Sequence, residues 1–371
     1  IHRILIDGGP AAAYPALRER ILRLPADQRH FDLLVITHID ADHIEGIIRL
    51  LLDAEALACR FDRIWFNGRD QLNAVPDPAG EALGGIQGEI LGMLIADYEQ
   101  RTATRVWNLG FAGALAAIDR KQPDLPVVEL PGGCRLTLLS PDHERLLDLK
   151  DNWARELKAA RVKSGDTAQL RERLAARRSL RPLGDVLGAD DDLDDTTPDD
   201  EAESEFADVL GGGSGEPGAD APFGSDTSRA NGSSIALLLE YPAADPKVRF
   251  VLAGDAWASV LEASLDRLLA PDARLAVDGF KLPHHGSVAN VTESLLARLR
   301  CPNYLISTNG AIFRHPHARC VDLLLKAHGG PGKPRLHFNY LVATTQAWSV
   351  EADRTARRYL AFHPRGLSLT F

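Results

Sequence analysis

Along this chain, short apolar runs closed by turn-forming residues alternate with longer stretches in which apolar side chains recur every three or four positions. The runs at 3–6, 33–37, 63–66, 135–139, 235–240, 248–253, 275–282 and 304–307 predict buried strands, and 367–371 predicts a closing strand. The three-to-four spacing predicts helices over 14–24, 44–57, 86–100, 145–174, 259–269, 292–300 and 318–328. Many strands mixed with helices, without a regular strand–helix–strand repeat, give the expectation of an α/β (α+β) fold in a single domain spanning residues 1–371.

Between residues 184 and 229 the pattern lapses into Asp, Glu, Gly, Ser and Pro. Such a stretch buries too little apolar surface to offset its ordering entropy, so an acidic, Gly-rich, weakly ordered insertion is expected there. Positions 190 to 208 hold eleven Asp or Glu and no Lys or Arg; the whole chain carries −10, so the remainder carries +1. The acidity therefore excludes no anionic substrate, and the acid run is itself a candidate docking segment for a protein partner. No apolar run approaches the roughly eighteen residues of a membrane span, so no membrane role is expected. Cys59, Cys134, Cys301 and Cys320 are far apart with no C-x-x-C pair. With no signal-like opening segment, the expectation is a reduced, cytoplasmic setting.

Candidate chemistry lies at predicted strand ends. Thr37-His38-Ile39-Asp40-Ala41-Asp42-His43 places four potential metal ligands within six positions, directly after an apolar strand. A strand-to-helix turn can aim such side chains at one point, as a compact cation site needs. Phe250-Val251-Leu252-Ala253-Gly254-Asp255 ends a strand in Gly and an acid, and a carboxylate there can bridge two cations. Lys281-Leu282-Pro283-His284-His285-Gly286-Ser287 again puts His at a strand end. His315-Pro316-His317 precedes the helix predicted from 318.

Together these segments resemble the metallo-β-lactamase superfamily. Asp7-Gly8-Gly9 looks like its early strand-turn, residues 38–43 look like its His-x-His-x-Asp-His signature with Asp40 replacing the second His, and Gly254-Asp255 looks like its bridging aspartate. Pro-His-His-Gly-Ser at 283–287 looks like its final histidine motif. The order Asn231-Gly232-Ser233-Ser234, Gly-Asp, Pro-His-His-Gly-Ser, His315-Pro316-His317 is similar to the hydrolase domain of the DNA-uptake competence protein ComEC and its free-standing soluble relatives; Ser140-Pro141 also fits.

The resemblance implies an αββα sandwich and a metal centre, with Zn2+ as the default cofactor, in two copies. One position takes His38 and Asp40, the other Asp42, His43 and His284, with His285 as the alternative, while Asp255 bridges. His143 is the one candidate for the third histidine that the family supplies to the first position. Asp40 makes that position oxygen-rich and admits Mn2+ or iron. The implied reaction is hydrolysis by a metal-bound hydroxide, with Asp42 or Asp255 orienting the water, His315 assisting catalysis, and His285 and His317 contacting substrate. A phosphodiester of nucleic acid or a nucleotide is the expected substrate. The alternatives are an ester, thioester, amide or lactone hydrolase, or a regulatory module with a degenerate site. The adjacent histidines are expected to continue a strand, so that His284 and His285 point to opposite sides and His284 meets the metal.

Overall fold

The computed structural model describes residues 1–73, 86–150, 165–178, 225–310, 313–363 and 368–370. Most of the expected acidic insertion at 184–229 lies outside them. The fold is mixed α/β, and the chain divides into two compact units: residues 1–116 with 143–198, and residues 117–142 with 199–371.

In the first unit, β1 (Ile4–Ile6), β3 (Leu33–Val35) and β5 (Ile64–Trp65) form a parallel sheet in the order β1-β3-β5. A second parallel pair joins β2 (His30–Phe31) to β4 (Arg60–Phe61). β3 is the central strand, and Leu33, Leu34 and Val35 are wholly buried, as expected of a strand covered on both faces. The helix Ala41–Asp53 follows β3 and buries Ile44, Ile47, Ile48 and Leu51. These positions are three, four and seven apart, one stripe of a 3.6-residue helix, and the helix packs on Ile86–Thr102.

Asp7-Gly8-Gly9, the turn after β1, lies directly on the first turns of that helix. Gly8 N–H donates to His43 C=O and Gly46 N–H to Gly9 C=O, both at 2.9 Å. A Cβ on Gly46 would lie 2.0 Å from the Gly8 oxygen, so the approach requires glycine.

The helix predicted over 145–174 is not continuous. Residues 143–150 are helical, but Gly165 adopts φ +71° and a separate helix, Thr167–Arg178, starts after it. The Asp166 carboxylate accepts the Gln169 N–H at 3.0 Å, so a glycine and an N-terminal cap break the apolar periodicity.

The second unit is built on an eight-stranded sheet in the order β15-β14-β13-β11-β9-β8-β7-β6. Its strands are β6 (Val127–Leu130), β7 (Cys134–Ser140), β8 (Ala236–Tyr241), β9 (Val248–Leu252), β11 (Gly279–Lys281), β13 (Asn303–Ile306), β14 (Arg335–Phe338) and β15 (Leu360–Phe362). From β15 to β9 neighbours are parallel; from β9 to β6 they are antiparallel. The helix Ala258–Leu268 packs on β7, and Ser264 Oγ donates to Leu139 C=O at 2.7 Å.

Three expectations fail here. The run at 275–282 is two strands in different sheets, β10 (Leu275–Ala276), paired with β12 (Leu299–Arg300), and β11. That pairing also stops the helix expected over 292–300, which covers only Glu293–Ala297. The sheet ends on β15, while residues 368–370 of the predicted closing strand are not strand and 364–367 and 371 lie outside the described residues.

All four cysteines are buried and free of disulfide. Burial pushes the Cys59 thiol up to about 11 and the Cys301 and Cys320 thiols up to about 12, which suppresses the reactive thiolate. Among the described residues no helix is long and apolar enough to cross a membrane.

Gly46→Ala should shift the urea midpoint down by at least about 1–3 kcal/mol of stability, the usual cost of overpacking, because the added methyl meets backbone that cannot rotate away. An unchanged midpoint would mean that the turn at 7–9 does not seat on the helix.

Candidate metal centre

Parallel strands place their carboxyl ends at one sheet edge, and in both units the candidate residues follow such ends. In the first unit Asp7 follows β1 and His38 follows β3, its hydrogen-bonded neighbour. Asp7 collects three donors: Thr37 N–H at 2.8 Å, Thr37 Oγ1–H at 2.7 Å and His43 Nδ1–H at 2.7 Å. The Thr37 hydroxyl has one proton and spends it on Asp7, so at 2.9 Å from His38 Nδ1 it accepts. Both imidazoles thus carry their protons on Nδ1 and expose Nε2 lone pairs, the tautomer in which histidine ligates a metal.

His38 and His43 are buried, their ring centroids 4.2 Å apart, and a ligand nitrogen of each lies within 4.8 Å of the other. Asp40 occupies the N-cap of the helix Ala41–Asp53 yet makes no side-chain cap hydrogen bond. Its carboxylate instead lies 3.3 Å from His38 Nε2. Asp42, about half exposed, lies 3.8 Å from His43 Nε2. The first motif is therefore gathered as one cluster, with Asp7 and Thr37 as orienting groups, a role that the sequence pattern gave to neither. His143 is exposed on the first turn of the helical stretch at 143–150, and nothing places it among these residues.

In the second unit Asp255 follows β9, Pro283–Gly286 follows β11, and Ser307 follows β13, three adjacent parallel strands. β8 runs antiparallel to β9, so its start, preceded by Asn231 to Ser234, meets the same edge. Ser234 Oγ accepts the Asp255 N–H at 3.0 Å.

The histidine pair does not continue a strand. His284 (φ 45°, ψ 53°) and His285 (φ 54°, ψ 17°) are both left-handed, within a tight 3₁₀ turn. Each such residue costs about 1–2 kcal/mol. The turn is held by His284 N–H to Gly254 C=O at 3.1 Å and Ser287 N–H to His284 C=O at 2.8 Å. Strand alternation therefore does not separate the two side chains; their hydrogen bonds do. His285 Nδ1 lies 2.6 Å from Ser307 C=O, which only accepts, so His285 exposes an Nε2 lone pair, 3.5 Å from Asp255 Oδ2. His284 is buried against Asp226, Asn231 and Asn290. Burial opposes its charge, but the hydrogen bond to Asp226 and the Asp255 and Asp226 charges outweigh that and push it up to about 9.

His315 stands 5.1 Å from His284, 6.1 Å from His285 and 4.6 Å from His317 between ring centroids. Burial, and the His284, His317 and His285 rings beside it, hold its pKa well below the usual imidazole range, so it is neutral. His317 Nδ1 accepts the Val288 N–H at 3.2 Å and so carries its proton on Nε2. The four histidines and Asp255 thus form the cluster of the second unit. Asp226, within the span read as insertion, belongs to it and was missed, as was Asn290.

In each unit a carboxylate oxygen faces an imidazole lone pair at 3.3–3.5 Å. Two acceptors repel at that distance, whereas two ligand atoms on one cation, at bond lengths of about 2.0–2.2 Å and a tetrahedral angle, stand about 3.3–3.6 Å apart. The donor chemistry and spacing fit a divalent cation. No protein-family model matches this chain, and no curated protein matches it.

Thr37→Val should destabilise the protein by about 1–3 kcal/mol in urea unfolding, since it strips one donor from Asp7 and the acceptor from His38, while Thr37→Ser stays close to wild type. Equal midpoints for the two variants would remove the hydroxyl from its orienting role.

Proposed function

We propose that the chain is a metal-dependent hydrolase with the αββα sandwich of the metallo-β-lactamase superfamily, acting on a phosphodiester of nucleic acid or a nucleotide. The observation that carries this reading is the fixed tautomers of His38 and His285, each turning an Nε2 lone pair toward a carboxylate at ligand spacing, 3.3 Å for Asp40 and 3.5 Å for Asp255. The choice of a phosphodiester over an ester, thioester, amide or lactone rests on the ComEC-like order of motifs.

In the first unit His38, Asp40, Asp42 and His43 are the residues that would hold Zn2+, and in the second unit Asp255 and His285 are; the family resemblance implies two ions. The oxygen-rich set of the first unit, with Asp40 and Asp42 beside two imidazoles, also suits Mn2+ or iron. When bound, the cation supplies an acidified water as nucleophile and stabilises charge on the attacked phosphoryl oxygen.

The remaining chemistry belongs to side chains. Asp42, partly open to solvent, orients the water and takes its proton, a task that Asp255 can share. His317 donates its Nε2–H to a substrate oxygen, and neutral His315 beside it hydrogen-bonds the leaving group. His285 takes the ligand position here in place of His284, because it is the ring turned to Asp255; His284 then serves the substrate side.

Metal analysis of the purified protein, with turnover of bis-p-nitrophenyl phosphate in zinc and in manganese, tests the proposal. We expect about one to two equivalents of metal per chain and metal-dependent turnover. His285→Ala and Asp255→Ala should each lose metal, whereas His284→Ala should keep it and lose turnover about 10–100-fold. Metal lost only in His284→Ala reverses the assignment of the pair. Turnover confined to a chromogenic ester or β-lactam overturns the phosphodiester, and less than one equivalent with no turnover overturns the enzyme in favour of a regulatory module.

A further inference from the structure

β13 and β14 are parallel neighbours, and their carboxyl ends lie at the edge where Asp255 and His285 stand. The turns that follow them are tied together. Asn339, just after β14, accepts the Thr308 N–H on Oδ1 at 2.9 Å and donates from Nδ2 to Ser307 Oγ at 3.3 Å, while Thr344 Oγ1 donates to His315 C=O at 2.8 Å. Gly310 (φ +66°) lets the two turns meet, since a Cβ there would stand 2.6 Å from Thr344 Oγ1.

These anchored turns hold large side chains in water. Phe313 is partly exposed, its ring centroid 5.8 Å from that of His315 and 6.5 Å from that of His284. Tyr340 and Leu341 are 38% and 62% exposed, although the Tyr340 carbonyl is held by Thr345 Oγ1 at 2.7 Å. Arg314, between Phe313 and His315, is exposed on left-handed backbone (φ 53°), and its guanidinium makes no ion pair among the described residues. A chain gains by covering such apolar rings, so a fixed backbone that leaves them open beside four histidines suits a ligand with flat apolar faces. The free cation between them calls for negative charge on the same ligand. Unpaired nucleobases on a phosphate backbone have that chemistry: aromatic rings stack on any base, and a guanidinium takes a phosphate.

We propose that Phe313 and Tyr340 are specificity-determining residues that stack the bases flanking the bound phosphate, and that Arg314 takes a neighbouring phosphate. The assignment rests on the hydrolase reading for the fate of that phosphate, but not for the binding of the bases.

Binding of a fluorescein-labelled phosphorothioate octathymidylate, which resists cleavage, and of its abasic counterpart to zinc-loaded protein tests this by fluorescence anisotropy. We expect the wild type to hold the octathymidylate about 10–100-fold more tightly than the abasic oligomer, and Phe313→Leu and Tyr340→Leu each to reduce that ratio about 10-fold. Arg314→Gln should weaken both oligomers alike and flatten the dependence of log Kd on log salt by about 0.7. Equal affinity of the wild type for the two oligomers overturns the proposal, and so does a ratio that both leucine variants leave unchanged. Tyr340→Leu and Arg314→Gln alter exposed side chains, so they decide the matter if Phe313→Leu does not fold. Base discrimination lost in the variants, with no turnover of bis-p-nitrophenyl phosphate by the wild type, supports the stacking surface and counts against the hydrolase reading alone. Turnover without base discrimination overturns the stacking surface and leaves the hydrolase.

Discussion

The carboxylate of Asp7 is the constraint on which the first unit's chemistry depends. Three donors converge on it, from the Thr37 backbone, the Thr37 hydroxyl and the His43 ring. A carboxylate only accepts, so each of these contacts dictates where a proton lies. One anion thereby sets the tautomer of His43 directly and of His38 through Thr37. Asp7 is itself held by backbone, because the turn that carries it presses glycine against glycine on the helix that carries His43. Packing and protonation are one device here: a side chain on either glycine would shift the anion, and with it two imidazole lone pairs.

The second unit reaches the same end by topology. β9, β11 and β13 are adjacent and parallel, so the residues that follow them meet at one edge although they lie some fifty positions apart in the chain. The left-handed turn at His284 and His285 then parts two neighbouring rings toward different partners. His285 goes to Ser307 C=O and Asp255, and His284 to the Asp226 and Asn290 network. The backbone cost of two consecutive left-handed non-glycine residues is a mark of sites where geometry serves something other than stability.

Much of this was legible in the sequence, for reasons that can be stated. A buried parallel strand must be a short apolar run, and its carboxyl end must stop at residues free to turn, so the runs before Asp7, His38 and Asp255 announced the strands, and the last two of them the candidate ligands His38 and Asp255. An amphipathic helix must repeat its stripe, so Ala41–Asp53 and Ile86–Thr102 lay close to where periodicity put them. Periodicity failed where a local break or a longer-range partner decided the outcome. Periodicity read straight through Gly165, where a left-handed backbone and a cap begin a new helix. The run at 275–282 was divided between two sheets by its pairing partners.

Burial and turn chemistry act over a few neighbouring residues, and that is enough for the order of residues to dictate mixed strands and helices and to put His38, Asp40, Asp42, His43, Asp255 and the 284–285 pair at strand ends. Contacts between distant segments set which nitrogen His43 and His285 expose, which of two adjacent histidines turns to Asp255, and that Asp226 and Asn290 stand behind the other. A tautomer is set by the acceptor that the opposite nitrogen meets, and those acceptors, Asp7 for His43 and Ser307 for His285, are brought to their rings by strand pairing and turn geometry that no local pattern encodes.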